Sequence, residues 1–267
     1  WLPEKGFLRY HWHGYDEALI LYTLALGSPS HGISPESYAA WASTYAWQTV
    51  EGIELLHASS LFIHQMSHLW IDFRRLQDDF MRQHGSDYFH NSAQATRVQQ
   101  RYAMRNPHGF NGYGEFAWGI TASDGPGARN PHPPGDRRSY FDYVARGVPD
   151  GPDDGTLAPW AAAASLPFAP EIVLPTLENY LRLQLHLENS YGFKASFNAT
   201  YPSGRAHPVG WVSPFHFGIN VGPIVLMIEN YRSGLVWQLC RRIPALERGL
   251  RAAGFQGGWL GGSTGSP

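Results

Sequence analysis

Residues 16–27 read Asp-Glu-Ala-Leu-Ile-Leu-Tyr-Thr-Leu-Ala-Leu-Gly, an apolar run with both of its acids at the start. Acidic side chains are favourable at the beginning of a helix because they face the positive end of the helix dipole. Gly27 follows the run, and glycine is the residue that most often ends a helix. The run therefore predicts a buried helix.

The same helical pattern recurs along the chain. A second helix is predicted over Pro35–Tyr45, with Ser34 as its N-cap and Pro35 at its first position. Further helices are predicted over Leu61–Phe73, Gln77–Arg105 with a break at Gly85, Ala158–Ser165, Pro170–Leu187, Gly222–Arg242 with Pro223 at its start, and Ala245–Gly254. Residues 106–155 are rich in Gly, Pro, Asn and Asp, which predicts a long loop with one strand at 139–145. The predicted fold class is all-α, a toroid of helical hairpins whose loops gather at one end and form a cleft.

Composition excludes several classes of protein. The 267 residues include 20 Lys and Arg against 22 Asp and Glu, a net charge of −2, and a dedicated nucleic-acid binder needs a basic surface. No window approaches the roughly 18 apolar residues needed to cross a bilayer, so we expect no membrane span. The single cysteine, Cys240, cannot form an internal disulfide and leaves reducing and oxidising compartments both open. Residues 261–267 are rich in Gly and Ser and are expected to form a flexible tail.

Acidic residues stand among aromatic residues and glycines in four stretches: 11–17, 64–74, 112–125 and 228–237. Aromatic faces and carboxylates are the groups that hold sugar rings, so these stretches are candidates for a carbohydrate site. Simpler interpretations stay open. Asp16 and Glu17 can merely stabilise a helix start, Asp72 can form a buried pair with Arg74, and Glu229 can pair with Arg232 within one helix.

Other chemistries find less support. His64 and His68 are four residues apart on a predicted helix, a spacing that can place two imidazoles on one metal ion. The zinc-hydrolase motif requires Glu where this chain has Gln65, so we expect no catalytic metal there. The chain also lacks a Gly-x-Ser-x-Gly elbow, a P-loop and a dinucleotide fingerprint, which removes the motif support for serine esterases, NTPases and Rossmann enzymes.

Several of these stretches together resemble one known family. They are residues 14–18 with 24–29, 64–74, 88–91, 113–115 with 119–126, 166–173 and 226–237. The chain resembles the glycoamylase-like domain of bacterial glycoside hydrolases, glycoside hydrolase family 144, whose members include endo-β-1,2-glucanases. A related domain ends the cyclic β-1,2-glucan synthases. The likeness runs from near residue 3 to Leu260.

The resemblance implies an (α/α)6 toroid, of which residues 1–260 would form the C-terminal two thirds. A preceding segment or a second polypeptide would then complete the barrel. We therefore expect partly unpartnered apolar faces at Ile20, Leu24, Val225 and Leu235. We also expect a periplasmic or secreted location.

The resemblance also implies a chemistry: cleavage of a β-glucan, above all β-1,2-glucan, by carboxylates acting as general acid and base, with no metal or organic cofactor. We predict Glu17 as the general acid and Glu115 as its partner, within about 10 Å of each other in one cleft. The predicted substrate-binding residues are Trp12, Asp16, Trp70, Asp72, Arg74, Trp118, Asp124 and Glu229.

One position departs from the family pattern. The family tends to have Asp-Gln where this chain has Asn220-Val221. Two alternatives to hydrolysis stay open. The synthase-linked relatives keep open a retaining transglycosylase on the same polymer, since the sequence does not determine the stereochemistry, and Asn220 together with the absent first part of the barrel keeps open a catalytically silent glucan-binding module. Product analysis with linear β-1,2-glucan separates them.

Overall fold

The computed structural model describes residues 3–6, 10–127, 138–187, 190–201 and 209–261. The first half contains α1 (Leu19–Leu26), α2 (Pro35–Ala42), β1 (Trp47–Val50), β2 (Ile53–Leu56), two 3₁₀ turns (Leu61–His64 and Met66–Leu69), β3 (Leu76–Gln77), α3 (Asp79–Gln83) and α4 (Tyr88–Arg105). The second half contains β4 (Ala122–Ser123), β5 (Val144–Ala145), β6 (Thr156–Leu157), α5 (Pro159–Ala164), α6 (Pro170–Arg182), β7 (Phe197–Asn198), β8 (Trp211–Val212), α7 (Gly218–Arg232), α8 (Leu235–Cys240), α9 (Pro244–Ala252), β9 (Gln256–Gly257) and a last 3₁₀ turn (Gly258–Leu260). Within these ranges no helix is both long and apolar enough to cross a membrane.

Residues 61–69 and α1 run side by side in the same direction. The ring of Tyr15, just before α1, contacts the ring of His64 at a centroid distance of 5.4 Å. Further along both segments, the backbone N–H of Ile20 donates to Ser67 Oγ at 3.1 Å. Contacts therefore advance together along the two segments, which makes them parallel.

The starts of residues 61–69, α5 and α7 meet at one end of the molecule. Leu61 N donates to Ile120 O, and Ala158 N, just before α5, donates to Gly119 O. Ser213 Oγ, shortly before α7, donates to Asp124 Oδ2 at 2.7 Å. All three starts therefore meet residues 119–124. We call this end, at which α1 also begins, the N-terminal face.

Helices α4 and α6 pack outside these parallel segments, and α4 runs in the opposite direction. Ser92, early in α4, reaches His68, whereas Gln99, late in α4, bonds both backbone groups of Ile120. The carboxyl-terminal half of α4 therefore lies at the N-terminal face. This alternation of inner and outer helices agrees with a toroid of helical hairpins.

Close approach of α1 and α9 depends on two glycines. A Cβ at Gly27 would collide with the backbone of Ala245, and a Cβ at Gly249 would collide with the backbone of Thr23. Glycine permits such contact because it has no side chain to separate the two backbones. We infer that Gly249→Ala would force the pair apart.

Several predicted elements are confirmed. Helix α2 begins at Pro35, and Ser34 Oγ accepts a hydrogen bond from Glu36 N. The break at Gly85 is confirmed, since α3 ends at Gln83 and Gly85 has a φ of 60°. The predicted helices at α1, α5, α6 and α9 are also present, within a few residues of their predicted ends.

Other predictions were wrong, and an all-α description does not hold because small sheets accompany the helices. Residues 61–73 contain two 3₁₀ turns, not an α-helix, and only Val144–Ala145 of residues 139–145 forms a strand. The β1–β2 hairpin was missed, although its turn residues Glu51 and Gly52 have φ values of 51° and 73°, as a two-residue primed turn requires. Helix α7 begins at Gly218, so Pro223 lies inside it. Residues 262–267 of the predicted tail lie outside the described residues.

The predicted unpartnered faces are largely confirmed. Leu24 is 48% exposed, Val225 60% and Leu235 48%, whereas Ile20 is half-buried. Leu24, Val225 and Leu235 therefore present apolar surface to solvent in the described part of the chain.

Candidate active site

Two neighbouring carboxyl groups stand at the start of α1, on the N-terminal face. Asp16 is half-buried, and its Oδ1 accepts a hydrogen bond from Ala18 N at 2.8 Å. Burial and the charge of Glu17 raise the pKa of Asp16 despite that hydrogen bond. Glu17 itself is exposed. The two neighbours therefore offer one carboxyl group to solvent and one that is partly withdrawn from it.

A third carboxyl group, Asp124, lies on the same face at the start of α7. Its Oδ2 accepts from Ser213 Oγ, and its backbone oxygen accepts from Ser196 Oγ at 2.6 Å. Burial and the nearby charge of Asp124 raise the pKa of Tyr143. Asp124 is half-buried, so it is fixed in position and still reaches solvent.

A buried ion pair holds the segment that carries Asp124. Arg146 Nε and Asp154 Oδ1 lie 2.7 Å apart, and both side chains are fully buried. Arg146 also donates to Ser123 O at 2.6 Å and to Phe141 O at 3.0 Å. Burial opposes the charge of Asp154, but Arg146 holds the pKa of that carboxyl below its ordinary value. Sequence reasoning missed this pair, and the Arg and Asp in a glycine-rich loop gave the only signal for it.

Glu115 lies over the outer helices. Its backbone oxygen accepts from Gln100 on α4, and the next residue, Phe116, accepts from Asn179 on α6. Its side chain is exposed. Trp118, predicted to stack on sugar, is fully buried, and its backbone N–H donates to Tyr180 OH at 3.0 Å.

Four predicted site residues lie toward the opposite end of the parallel segments. Glu229 is ten residues beyond Ile219 on α7, about 15 Å along the helix axis, and its Oε1 accepts from Ser233 Oγ. The next residue, Asn230, donates to Leu69 O at 3.1 Å, which brings Trp70 near this end. The four residues are Trp70, Asp72, Arg74 and Glu229.

Asp72 forms the buried pair that the sequence left open as an alternative. It is 3% exposed and is bonded by Arg74 Nε at 2.8 Å and by Arg241. Burial opposes ionisation, but these two guanidinium groups hold the pKa of Asp72 below its ordinary value. Arg74 in turn lies over the ring of Trp237 at 4.8 Å. Trp70 is 41% exposed, and Trp12, near the start of α1, is 53% exposed.

His64 and His68 lie in successive 3₁₀ turns, where residues four apart do not share a face. Both are buried: His64 Nε2 donates to Ala58 O at 3.1 Å, and His68 Nε2 lies 3.0 Å from Ser92 Oγ. Burial lowers the pKa of His64 to about 4 and that of His68 to about 3. In the described part of the chain, no three His, Cys, Asp or Glu side chains come together as metal ligands.

The low pKa values of these two histidines predict that the protein loses stability in acid. Their pKa values are lower in the folded state than the ordinary 6.5, so unfolding takes up protons as the pH falls. We expect the free energy of unfolding to decrease between pH 6.5 and 4, by about 3 kcal/mol from His64 alone. Urea titrations at several pH values measure it. His64→Gln should flatten the dependence and the exposed His31→Gln should not; equal curves for all three proteins would contradict the prediction.

Asn220 occupies the first turn of α7, on the N-terminal face. Its side chain is 3% exposed, and neither its amide nitrogen nor its amide oxygen has a hydrogen-bond partner among the described residues. Buried amides normally have partners, so these two atoms are available to bond a ligand or water.

Comparison with known proteins agrees with this architecture. Residues 9–244 match the Glycoamylase family model, described as "Putative glucoamylase". An exo-β-1,2-glucooligosaccharide sophorohydrolase (non-reducing end) of Parabacteroides distasonis is 32% identical over 94% of this chain and 35% of its own length. A Bacteroides fragilis structure with the same description as the family is 32% identical, with a TM-score of 0.81 over 97% of this chain and 58% of the other.

A third relative has been solved with sugars bound. The endo-β-1,2-glucanase of Chitinophaga pinensis, in complex with sophorotriose and glucose, is 29% identical, with a TM-score of 0.76 over 91% of this chain and 55% of the other. The chain thus spans about a third of the curated relative it matches and little more than half of these solved chains. The family model covers most of the 267 residues, and the chain belongs to the Glycoamylase family.

Proposed function

We propose that the protein is a glycoside hydrolase that cleaves β-glucan, above all β-1,2-glucan. The observation that carries the proposal is that the candidate carboxyl groups adjoin the starts of parallel helical segments: Asp16 and Glu17 come just before α1, and Asp124 is bonded by Ser213 just before α7. Two relatives support the substrate class, because one is named a β-1,2-glucooligosaccharide sophorohydrolase and the other an endo-β-1,2-glucanase.

In this proposal Glu17 protonates the leaving oxygen. Hydrolysis of a glycosidic bond requires one protonated carboxyl group and one ionised carboxylate on opposite sides of the bond. Asp16, half-buried beside Glu17, would bind sugar hydroxyls. The chemistry requires no metal or organic cofactor.

Glu115 is proposed as the ionised partner, and Asp124 is a second candidate. The partner activates water or attacks the anomeric carbon. Glu115 is exposed but lies over the outer helices α4 and α6, whereas Asp124 is fixed by Ser213 at the start of α7. Because Glu115 and Asp124 lie in different places, substituting each one separately can show which is the catalytic partner.

A linkage panel tests the substrate class. We expect the full-length protein to release reducing ends from β-1,2-glucan and much less from β-1,3- and β-1,4-glucans. Equal activity on all three would contradict a β-1,2 preference, and activity on none would contradict the hydrolase assignment. An increase in chain length or cyclic products would favour the transglycosylase alternative.

Asn220→Asp is expected to raise the rate of hydrolysis at least about ten-fold. The side-chain amide of Asn220 has no hydrogen-bond partner among the described residues. A carboxylate at this position would be stabilised by the positive end of the α7 dipole and could accept a proton during hydrolysis. Initial rates on β-1,2-glucan measure the change. Gln83→Glu, an exposed amide-to-carboxylate change on α3, is the matched control. An Asn220→Asp variant as slow as wild type would show that position 220 does not limit catalysis.

We also propose that further polypeptide, either a preceding segment or a second chain, completes the barrel. The exposure of Leu24, Val225 and Leu235 and the greater length of the relatives support this. Residues 1–267 expressed alone should associate or aggregate and hydrolyse glucan poorly. A soluble, fully active monomer of these residues would contradict the proposal. A periplasmic or secreted location stays a prediction.

A further inference from the structure

Three aromatic rings cluster beside Asp124. The ring of Tyr143 meets the ring of Phe217 edge to face, at 6.1 Å between centroids and 82° between planes, and Phe217 contacts Phe215 at 5.8 Å and 45°. Tyr143 is 53% exposed, Phe215 is 55% exposed and Phe217 is half-buried. We call these three residues the aromatic ridge. Exposed aromatic rings clustered in this way supply apolar faces that a ligand can cover.

The backbone beneath the ridge is held by hydrogen bonds. Phe215 O accepts from Ala195 N at 3.3 Å, and Ser213 N donates to Ser196 O at 2.9 Å. Phe217 is the N-cap residue of α7, so the helix fixes its position. Because the rings are already in place, a ligand would order few groups on binding, which favours affinity.

Polar groups adjoin the ridge on the side of Asp124. Ser213 Oγ donates to Asp124 Oδ2 and accepts from Phe215 N at 3.2 Å, so a hydroxyl and a carboxylate lie at one end of the aromatic surface. Apolar faces with a few polar groups at the edge match a pyranose ring, which has apolar CH faces and hydroxyls around its rim. A ligand with only apolar groups would cover the Asp124 carboxylate without giving it a hydrogen bond, which is unfavourable.

We propose that Tyr143, Phe217 and Phe215 form a stacking platform for glucan units that extend from the catalytic carboxylates. Tyr143 and Phe215 are the exposed rings on either side of the half-buried Phe217, so each can receive one sugar unit on its own face. The platform rests on the proposed function, and it gives the protein higher affinity for long glucans than for short ones.

Calorimetric titration with a long β-1,2-gluco-oligosaccharide tests the platform. The full-length protein carries Glu17→Gln to prevent turnover, and Phe215→Ala is added to it. We expect the dissociation constant to rise about ten-fold, because one aromatic contact is lost. Phe215→Trp should restore binding. Tyr231→Ala, an exposed aromatic at the far end of α7, is the matched control and should bind like the parent.

Each outcome bears on the platform. If Phe215→Ala fails to fold, as thermal melting would reveal, Tyr143→Ala on a separate segment carries the same expectation. A parent that binds glucan, with both ridge variants equal to it, overturns the platform and leaves the proposed function standing. A parent that does not bind the oligosaccharide overturns both.

Discussion

Glu17→Gln should reduce hydrolysis of β-1,2-glucan about a thousand-fold while glucan binding stays nearly unchanged. Glutamine keeps the shape of the side chain but cannot transfer a proton to the leaving oxygen. Initial rates and equilibrium binding of the same oligosaccharide measure the two effects. Glu36→Gln, an acid in the first turn of α2, is the matched control. A Glu17→Gln enzyme with half the wild-type rate would remove Glu17 from the mechanism.

Substitutions of the same kind, carboxylate to amide, can identify the second catalytic carboxylate. Glu115→Gln and Asp124→Asn each remove one candidate, and only the true partner should reduce turnover by orders of magnitude. Added azide or formate can replace a missing carboxylate nucleophile or base, so partial rescue by these anions would mark the partner. Two variants with wild-type rates would leave neither residue in the mechanism.

Arg146→Met should destabilise the protein by about 3–5 kcal/mol. Its guanidinium group is fully buried, and its removal leaves Asp154 buried without its ion-pair partner and Ser123 O without its donor. Urea unfolding measures the loss. Arg182→Met is the matched control, because Arg182 forms an exposed pair with Glu178 that should contribute little.

A second substitution separates lost charge pairing from lost packing. The double variant Arg146→Met with Asp154→Leu removes both charges and should recover much of the lost stability, because no buried charge is left unpaired. A single variant no less stable than the Arg182→Met control would contradict the role assigned to this pair. Loss of glucan cleavage at temperatures where Arg146→Met stays folded would show that the pair also positions Asp124.

The helices were predictable where local chemistry determines them. Ser34 and Pro35 are preferred at a helix start, and Gly85 ends one helix before the next begins at Tyr88. Residues 61–69 were not predictable in this way, because α-helices and 3₁₀ turns share an apolar pattern over one or two turns. The helix-start preference of proline predicts Pro223 at the first helical position, but α7 begins at Gly218 and includes Pro223 in its interior.

The candidate site was predictable in part. Their sequence neighbours indicate Asp16, Glu17 and Asp124 as candidates, and the fold places the first two just before α1 and bonds the third to Ser213 just before α7. The aromatic ridge was not predictable, because it joins residues from separate loops whose approach no local pattern specifies. The Arg146–Asp154 pair was not either, because an Arg and an Asp eight residues apart in an irregular loop have no spacing rule that pairs them. For Asp72 the sequence was misleading. Its aromatic neighbours resemble those of a sugar site, but the side chain is buried and paired with Arg74 and Arg241.

Separation of the products formed from linear β-1,2-glucan tests the central claim most directly. The full-length protein and its Glu17→Gln variant are incubated with the polymer, and the products are resolved by size over time. We expect short linear β-1,2-gluco-oligosaccharides from the wild type and almost none from the variant. Polymer that is bound but unchanged by the wild type would contradict it and would favour a glucan-binding module.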